Sequence, residues 1–139
     1  MTKTESTQKA ISKTRSIVYW IFTGYLAFES LLSSAWDFNL LNKGYAAGIM
    51  NQIGFPIYFL YIKGIATLLA APIFLLPRLP LLKEWAYFGT AIMYIGAISS
   101  NLFVGSSIKS IIAPIIFLLI TIISWALRPP SRKFPGIPV

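Results

Sequence analysis

At 139 residues the chain has room for one domain. Hydrophobic residues make up 56% of it and charged residues 12%, with a mean hydropathy of +0.70, so a soluble core of this size is excluded and a membrane-embedded chain is expected. There is no Cys and no His, which removes disulfides, thiolate nucleophiles, Cys- or His-ligated metals and the usual general base near pH 7. The carboxylates are Glu5, Glu29, Asp37 and Glu84; they form no recognisable catalytic set, and catalysis by this chain alone is not expected.

Four apolar runs follow in chain order, each near the ~20 residues that cross a bilayer. They cover about residues 17–35, 56–76, 85–104 and 108–127. Lipid cannot satisfy a free backbone amide, so each run is expected to be helical, with kinks at Pro72 and Pro114. The expected fold is all-α, a membrane-embedded antiparallel four-helix bundle over residues 17–127, between a polar tail (1–16) and a Pro-rich tail (128–139).

Charge sets the expected orientation. Lys3, Lys9, Lys13, Arg15, Arg78, Lys83, Arg128, Arg132 and Lys133 fall on one side of the bundle, and only Lys43 and Lys109 on the other. Nine against two places both termini in the cytoplasm, at a cytoplasmic (inner) membrane. The +8 net charge is then a topology signal, and nucleic acid is not an expected partner. Trp20, Trp36, Trp85 and Trp125 lie near run ends, where indole rings anchor at the interface. The basic start, the apolar run and Ser33-Ser34-Ala35 imitate a signal peptide, but the run is too long and Glu29 interrupts it.

Residues 36–55 form the one long connection. Tyr45, Ala46, Ile49, Met50 and Ile53 recur at helical spacing, which predicts a short amphipathic helix at the outer face, a connector in preference to a lid. The N-terminal tail is expected to be disordered until it meets the membrane. The C-terminal tail, with Pro129, Pro130, Pro135 and Pro138, is expected to end frayed.

Glu29 and Lys63 are the informative charges. By residue counting both lie about 9–10 Å below the outer boundary. That predicts an ion pair between the first two spans, since an unpaired charge there is costly. Structural locking, outward snorkelling of Lys63 and a ligand or proton role are all open to it. Tyr25, Glu29, Ser33 and Asp37 repeat every four residues on one helix face, Thr67 is one turn below Lys63, and Asn101 closes the outer end of the third span. The candidate ligand-binding residues are therefore Glu29, Lys63, Tyr25, Ser33, Thr67 and Asn101. Helix packing is the competing account, because Ser30/Ser34, Ala66/Ala70 and Gly96/Ser100 are small-xxx-small pairs.

From Tyr19 to Lys133 the chain resembles the DoxX-like family of small four-helix membrane proteins. The resemblance is carried by YWIFTGYLAFES, GFPIYFL, LLPRLPLLKEWAYFG and the segment ending in ISWALRPPSRK, with KEWAY and SWALRPPSR the most specific strings. It implies a four-helix bundle with both ends cytoplasmic, and a glutamate and an aspartate where Glu29 and Asp37 stand. The family's usual second-helix lysine aligns with Thr67, a frequent His with Asn101 and an Asp with Ser106; Lys63, one turn earlier, keeps the lysine's helix face. Three functions follow: a non-catalytic membrane protein working through a partner or a lipid-like ligand, a quinone-accommodating subunit of a redox complex, or a membrane-protein assembly factor. Quinone or lipid are the ligands implied, and the bilayer and another membrane or redox protein the partners.

Overall fold

The computed structural model describes residues 2–135, so Pro138 lies outside the described residues. Five α-helices are present and no strand is seen among the described residues: α1 (Lys3–Asp37), α2 (Tyr45–Gln52), α3 (Tyr58–Leu75), α4 (Pro80–Phe103) and α5 (Ile108–Ala126), then a 3-10 turn at Pro130–Arg132.

α1 begins fourteen residues ahead of the first apolar run. The segment expected to be disordered is helical from Lys3 and continues into the apolar part without a break. A capping box starts it: Glu5 N donates to Thr2 Oγ1 (3.4 Å), and Thr2 N donates to Glu5 Oε2 (2.9 Å). After Asp37 the chain reverses through left-handed Asn39 and Lys43 and through Gly44 at φ 90, where glycine carries no Cβ penalty. Asn42 knits this turn by donating from Nδ2 to Trp36 O (2.5 Å) and accepting from Gly44 N (3.1 Å). The expected short helix is α2; it touches α1 and α3, and Ala46 is its buried residue.

Pro72 and Pro114 both sit inside helices that continue past them. α3 ends ahead of Pro77, and Pro80 opens α4 at its first position, where a missing amide costs nothing. α1 packs most extensively on α3 and α4 on α5, while α1·α5 and α3·α4 contacts close the ring. One end carries the chain's tails and the α3–α4 turn (the tail end); the other carries α2 (the loop end).

The interior is more polar than the outside. Thr23, Ser30, Ser34, Thr67, Lys83, Thr90, Thr121, Ser124 and Arg128 are buried around a small apolar cluster of Leu26, Ala27, Phe74 and Tyr87. Large apolar side chains face out instead, among them Phe28 and Phe88 at 63% and 69% exposure. That inverts the soluble pattern and matches a lipid surround. Among the described residues, two helices are long and apolar enough to cross a membrane by length and composition, α3 and α5; α1 and α4, also expected from sequence as spans, fall short on that measure because Tyr, Ser, Thr and charged residues dilute them.

Candidate functional site

The loop half of the bundle holds two separate polar contacts. In the first, Lys63 Nζ lies 2.5 Å from Asp37 Oδ2 and donates to Ser33 Oγ at 3.1 Å. Ser34, on the next position of α1, donates to Gly64 O (2.9 Å). α1 and α3 come close together here: a Cβ on Gly64 would stand 3.1 Å from Asp37 Cβ and 3.2 Å from the Phe38 ring. Asp37 ends α1 outside the apolar run; burial raises its carboxyl above the ordinary range, and Lys63 pulls against that rise.

In the second contact, Tyr94 Oη donates to Glu29 Oε2 at 2.6 Å, joining α1 to α4. Phe117 of α5 stacks on both Tyr94 (5.5 Å) and Tyr25 (6.2 Å), which ties three helices together beside Glu29.

The expected Glu29–Lys63 ion pair is therefore corrected: Lys63 pairs with Asp37, and Glu29 is bound by a tyrosine. The cause is register. α1 runs on to Asp37 and α3 starts only at Tyr58, so Glu29 lies ~12 Å from its helix end and Lys63 ~8 Å from its own. The level of Lys63 is that of Ser33 and Asp37. Thr67 donates to the backbone of its own helix, Lys63 O (3.0 Å) and Gly64 O (3.1 Å). Asn101 donates to Ala97 O (2.8 Å) and is not brought to either contact. Of the small-residue pairs, Ser30/Ser34 is buried on α1, whereas Gly96 is exposed.

Between α3 and α4, the least extensively packed neighbours in the ring, lies a groove of about 290 Å³. Ala66, Ala70, Ala86 and Gly89 leave its floor unfilled, Met93 and Phe59 add apolar wall, and Lys63, Thr67 and Thr90 are its polar members. Small side chains on both helices open this space, and it is near the lower limit of the ~300–1,000 Å³ of small-molecule sites.

The tail end holds a third polar cluster that the sequence did not single out as a site. Glu84 accepts from Arg128 Nη1 (2.5 Å) and from Trp125 Nε1 (2.9 Å). Burial alone would raise the Glu84 carboxyl, but these donors outweigh it and hold the group below its ordinary range. Ser124 Oγ bridges Thr23 Oγ1 and Tyr87 Oη at 2.8 Å each. Fully buried Lys83 binds the carbonyls of Ile73 and Phe74 (3.1 Å to the latter), Arg132 that of Leu75 (3.2 Å), Arg128 that of Trp125 (2.9 Å) and Arg15 that of Ala126 (3.1 Å). Basic side chains thus cap the C-terminal carbonyls of both helices that end here. Over the described part of the tail, residues 128–135, the expected fraying is corrected in the same place, since Arg132 also lies 4.4 Å over the Trp20 ring.

No curated protein and no solved structure matches this chain. The model of the DoxX-like family matches residues 21–124, from within α1 almost to the end of α5, and takes in both loop-half contacts, the α3–α4 groove and Glu84. With that match over most of its length and with two helices apolar enough to enter a bilayer, the chain is a membrane protein that belongs to the DoxX-like family.

Proposed function

We propose that the chain crosses the cytoplasmic membrane four times, through α1, α3, α4 and α5 with both tails inside, and that it works without catalysis of its own by holding a small hydrophobic or lipid-like ligand for a partner protein. The observation that carries the ligand reading is the α3–α4 groove with Lys63 on its wall. An ammonium has three donors; Asp37 and Ser33 take two, which leaves one for an acceptor in the groove. The rest of the lining is nearly all apolar, the composition of a site that takes a hydrophobic body with one polar end. The outward apolar side chains of all four helices support the four crossings, and the charge asymmetry supports the orientation.

A quinone is the second reading, favoured by the same groove: it offers a carbonyl acceptor for Lys63 and a flat ring for the space beside Met93 and Thr90. Electron-carrying groups would then belong to the partner. Thermal unfolding of the detergent-solubilised protein tests both readings, with a short-chain ubiquinone and a lysophospholipid as probes. A ligand that binds the folded state raises Tm with concentration, and Lys63→Met is expected to abolish the rise. No rise with either probe overturns the ligand reading. Topology has a clean test because the chain has no Cys. Single cysteines at Lys9 and Gly48 should be labelled by an impermeant maleimide from opposite sides of the membrane.

A further inference from the structure

A second, larger groove lies between α4 and α5 at the tail end, about 820 Å³ in volume. Phe88, Ala91, Ile122 and Trp125 form its apolar walls, and Glu84, Arg128 and Lys133 its mouth. From Leu81 at the mouth to Ala91 the groove follows α4 for ten residues, ~15 Å along the helix axis. It is separate from the α3–α4 groove: Trp85 is the one residue that lines both, and Lys63 lines only the first.

The charge at the mouth does not cancel. Glu84 is taken by Arg128 and Trp125, so one negative and one positive charge are spent on each other. Lys133 is exposed and makes no salt bridge among the described residues. Its position is built: Pro129 and Pro130 turn the chain back, and Arg132, bonded to Leu75 O and stacked on Trp20, pins the turn against the bundle. Lys133 and Phe134 are thereby held at the lip of the groove. The mouth carries a net charge of +1 at the end of the bundle where basic residues gather.

We propose that this groove is a binding site for an anionic phospholipid, with one acyl chain lying along α4 and α5 and the headgroup phosphate against Lys133. The proposal rests on the membrane reading but not on the α3–α4 ligand site. Apolar walls open to the side of the bundle admit a chain from the bilayer, and indoles at Trp85 and Trp125 mark the depth of the headgroup layer. The uncompensated cation selects a negative headgroup over a zwitterionic one, since the Glu84 carboxylate that would attract a choline or ethanolamine is already bound on both oxygens.

The test is native mass spectrometry of the full chain released from nanodiscs containing equal parts phosphatidylglycerol and phosphatidylcholine. One retained phosphatidylglycerol is expected for the wild type. Lys133→Ala should lower its retention about fivefold, and Lys133→Glu more than tenfold, because one basic residue near a membrane surface is worth about that factor. Lys133→Arg should retain it. Ala91→Phe, which fills the groove, should release lipid of either headgroup. Because Lys133 is exposed, its variants fold whether or not Ala91→Phe does. Equal retention of the two lipids, or retention unchanged in Lys133→Glu, overturns the proposal. Loss of probe binding in Lys63→Met with phosphatidylglycerol still bound separates this site from the α3–α4 groove.

Discussion

Arg128 Nη1 lies 2.5 Å from Glu84 Oε1, and this pair joins the segment just past α5 to the second turn of α4 across 44 positions of sequence. The guanidinium is almost fully buried while the carboxylate keeps 30% of its side-chain surface. Tyr87 and Trp125 flank the guanidinium at 5.2 and 5.4 Å, so two aromatic rings face Arg128 beside its one carboxylate partner. Removing the carboxylate would strand a buried cation.

Glu84→Ala is therefore expected to destabilise the bundle strongly. Breaking a buried pair from one side costs roughly 3–5 kcal/mol, and the partial exposure of Glu84 puts this case at the lower end. The double variant Glu84→Leu with Arg128→Met should recover much of the loss, since well-packed apolar groups can replace such a pair. Thermal unfolding in detergent measures both, and a double variant no better than the single one would exclude the ion-pair account.

The two loop-half contacts should be energetically separate. A double-mutant cycle on Asp37→Ala and Lys63→Ala is expected to give a coupling of at least about 0.5 kcal/mol, as contacting charges do. A cycle on Glu29→Gln and Lys63→Ala should give the smaller coupling, because the direct partner of Glu29 is Tyr94 and Lys63 acts on it only through space. Strong coupling in the second cycle would restore the Glu29–Lys63 pairing.

Gly64 sets the distance between α1 and α3. Gly64→Ala places a methyl group against Asp37 Cβ and the Phe38 ring, and the Ser34–Gly64 hydrogen bond must lengthen to admit it. A loss of about 1–3 kcal/mol is expected, the usual cost of overpacking. Gly96→Ala, at an exposed position with open space around it, should be neutral or mildly stabilising.

Lys83 gives the fold a pH dependence. Burial, with Arg132 and Arg128 adding repulsion, lowers its ammonium from 10.5 to about 8. Between these two values the unfolded chain holds a proton that the folded chain has released, so stability rises with pH across that window. Tm should therefore climb from pH 8 toward pH 10, and the slope should vanish in Lys83→Met. A Tm that falls over this range in the wild type, with the same fall in the variant, would place the pH response elsewhere.

Much of this was legible in the sequence, for physical reasons. The apolar runs had to be helices because lipid offers backbone groups no partner, and α2 followed from the spacing of Tyr45, Ala46 and Ile49. Thr2 and Glu5 spelled the capping box that makes the N-terminal segment helical, but a polar, basic composition hid it. The Glu29–Lys63 expectation failed on helix ends: two residues at each terminus move a side chain by about 3 Å, enough to exchange one partner for another. Tyr94 gave no signal, because nothing in a single chain fixes the register between α1 and α4. KEWAY and SWALRPPSR, the two most specific strings, turn out to be the two sides of one contact: Glu84 from the first, Trp125 and Arg128 from the second.

The helix-capping cations divide the tail end's positive charge by duty. Arg15, Lys83, Arg128 and Arg132 hold the carbonyls at the ends of α3 and α5, while Lys3, Lys9, Lys13, Arg78 and Lys133 make no such bond among the described residues. The first group serves the fold in either orientation, since its partners lie within the same chain. The second group is free to answer to the leaflet and the membrane potential. Folding draws on only some members of one basic set, so Lys3, Lys9 and Lys13 can be neutralised without loosening the carbonyl ends of α3 and α5.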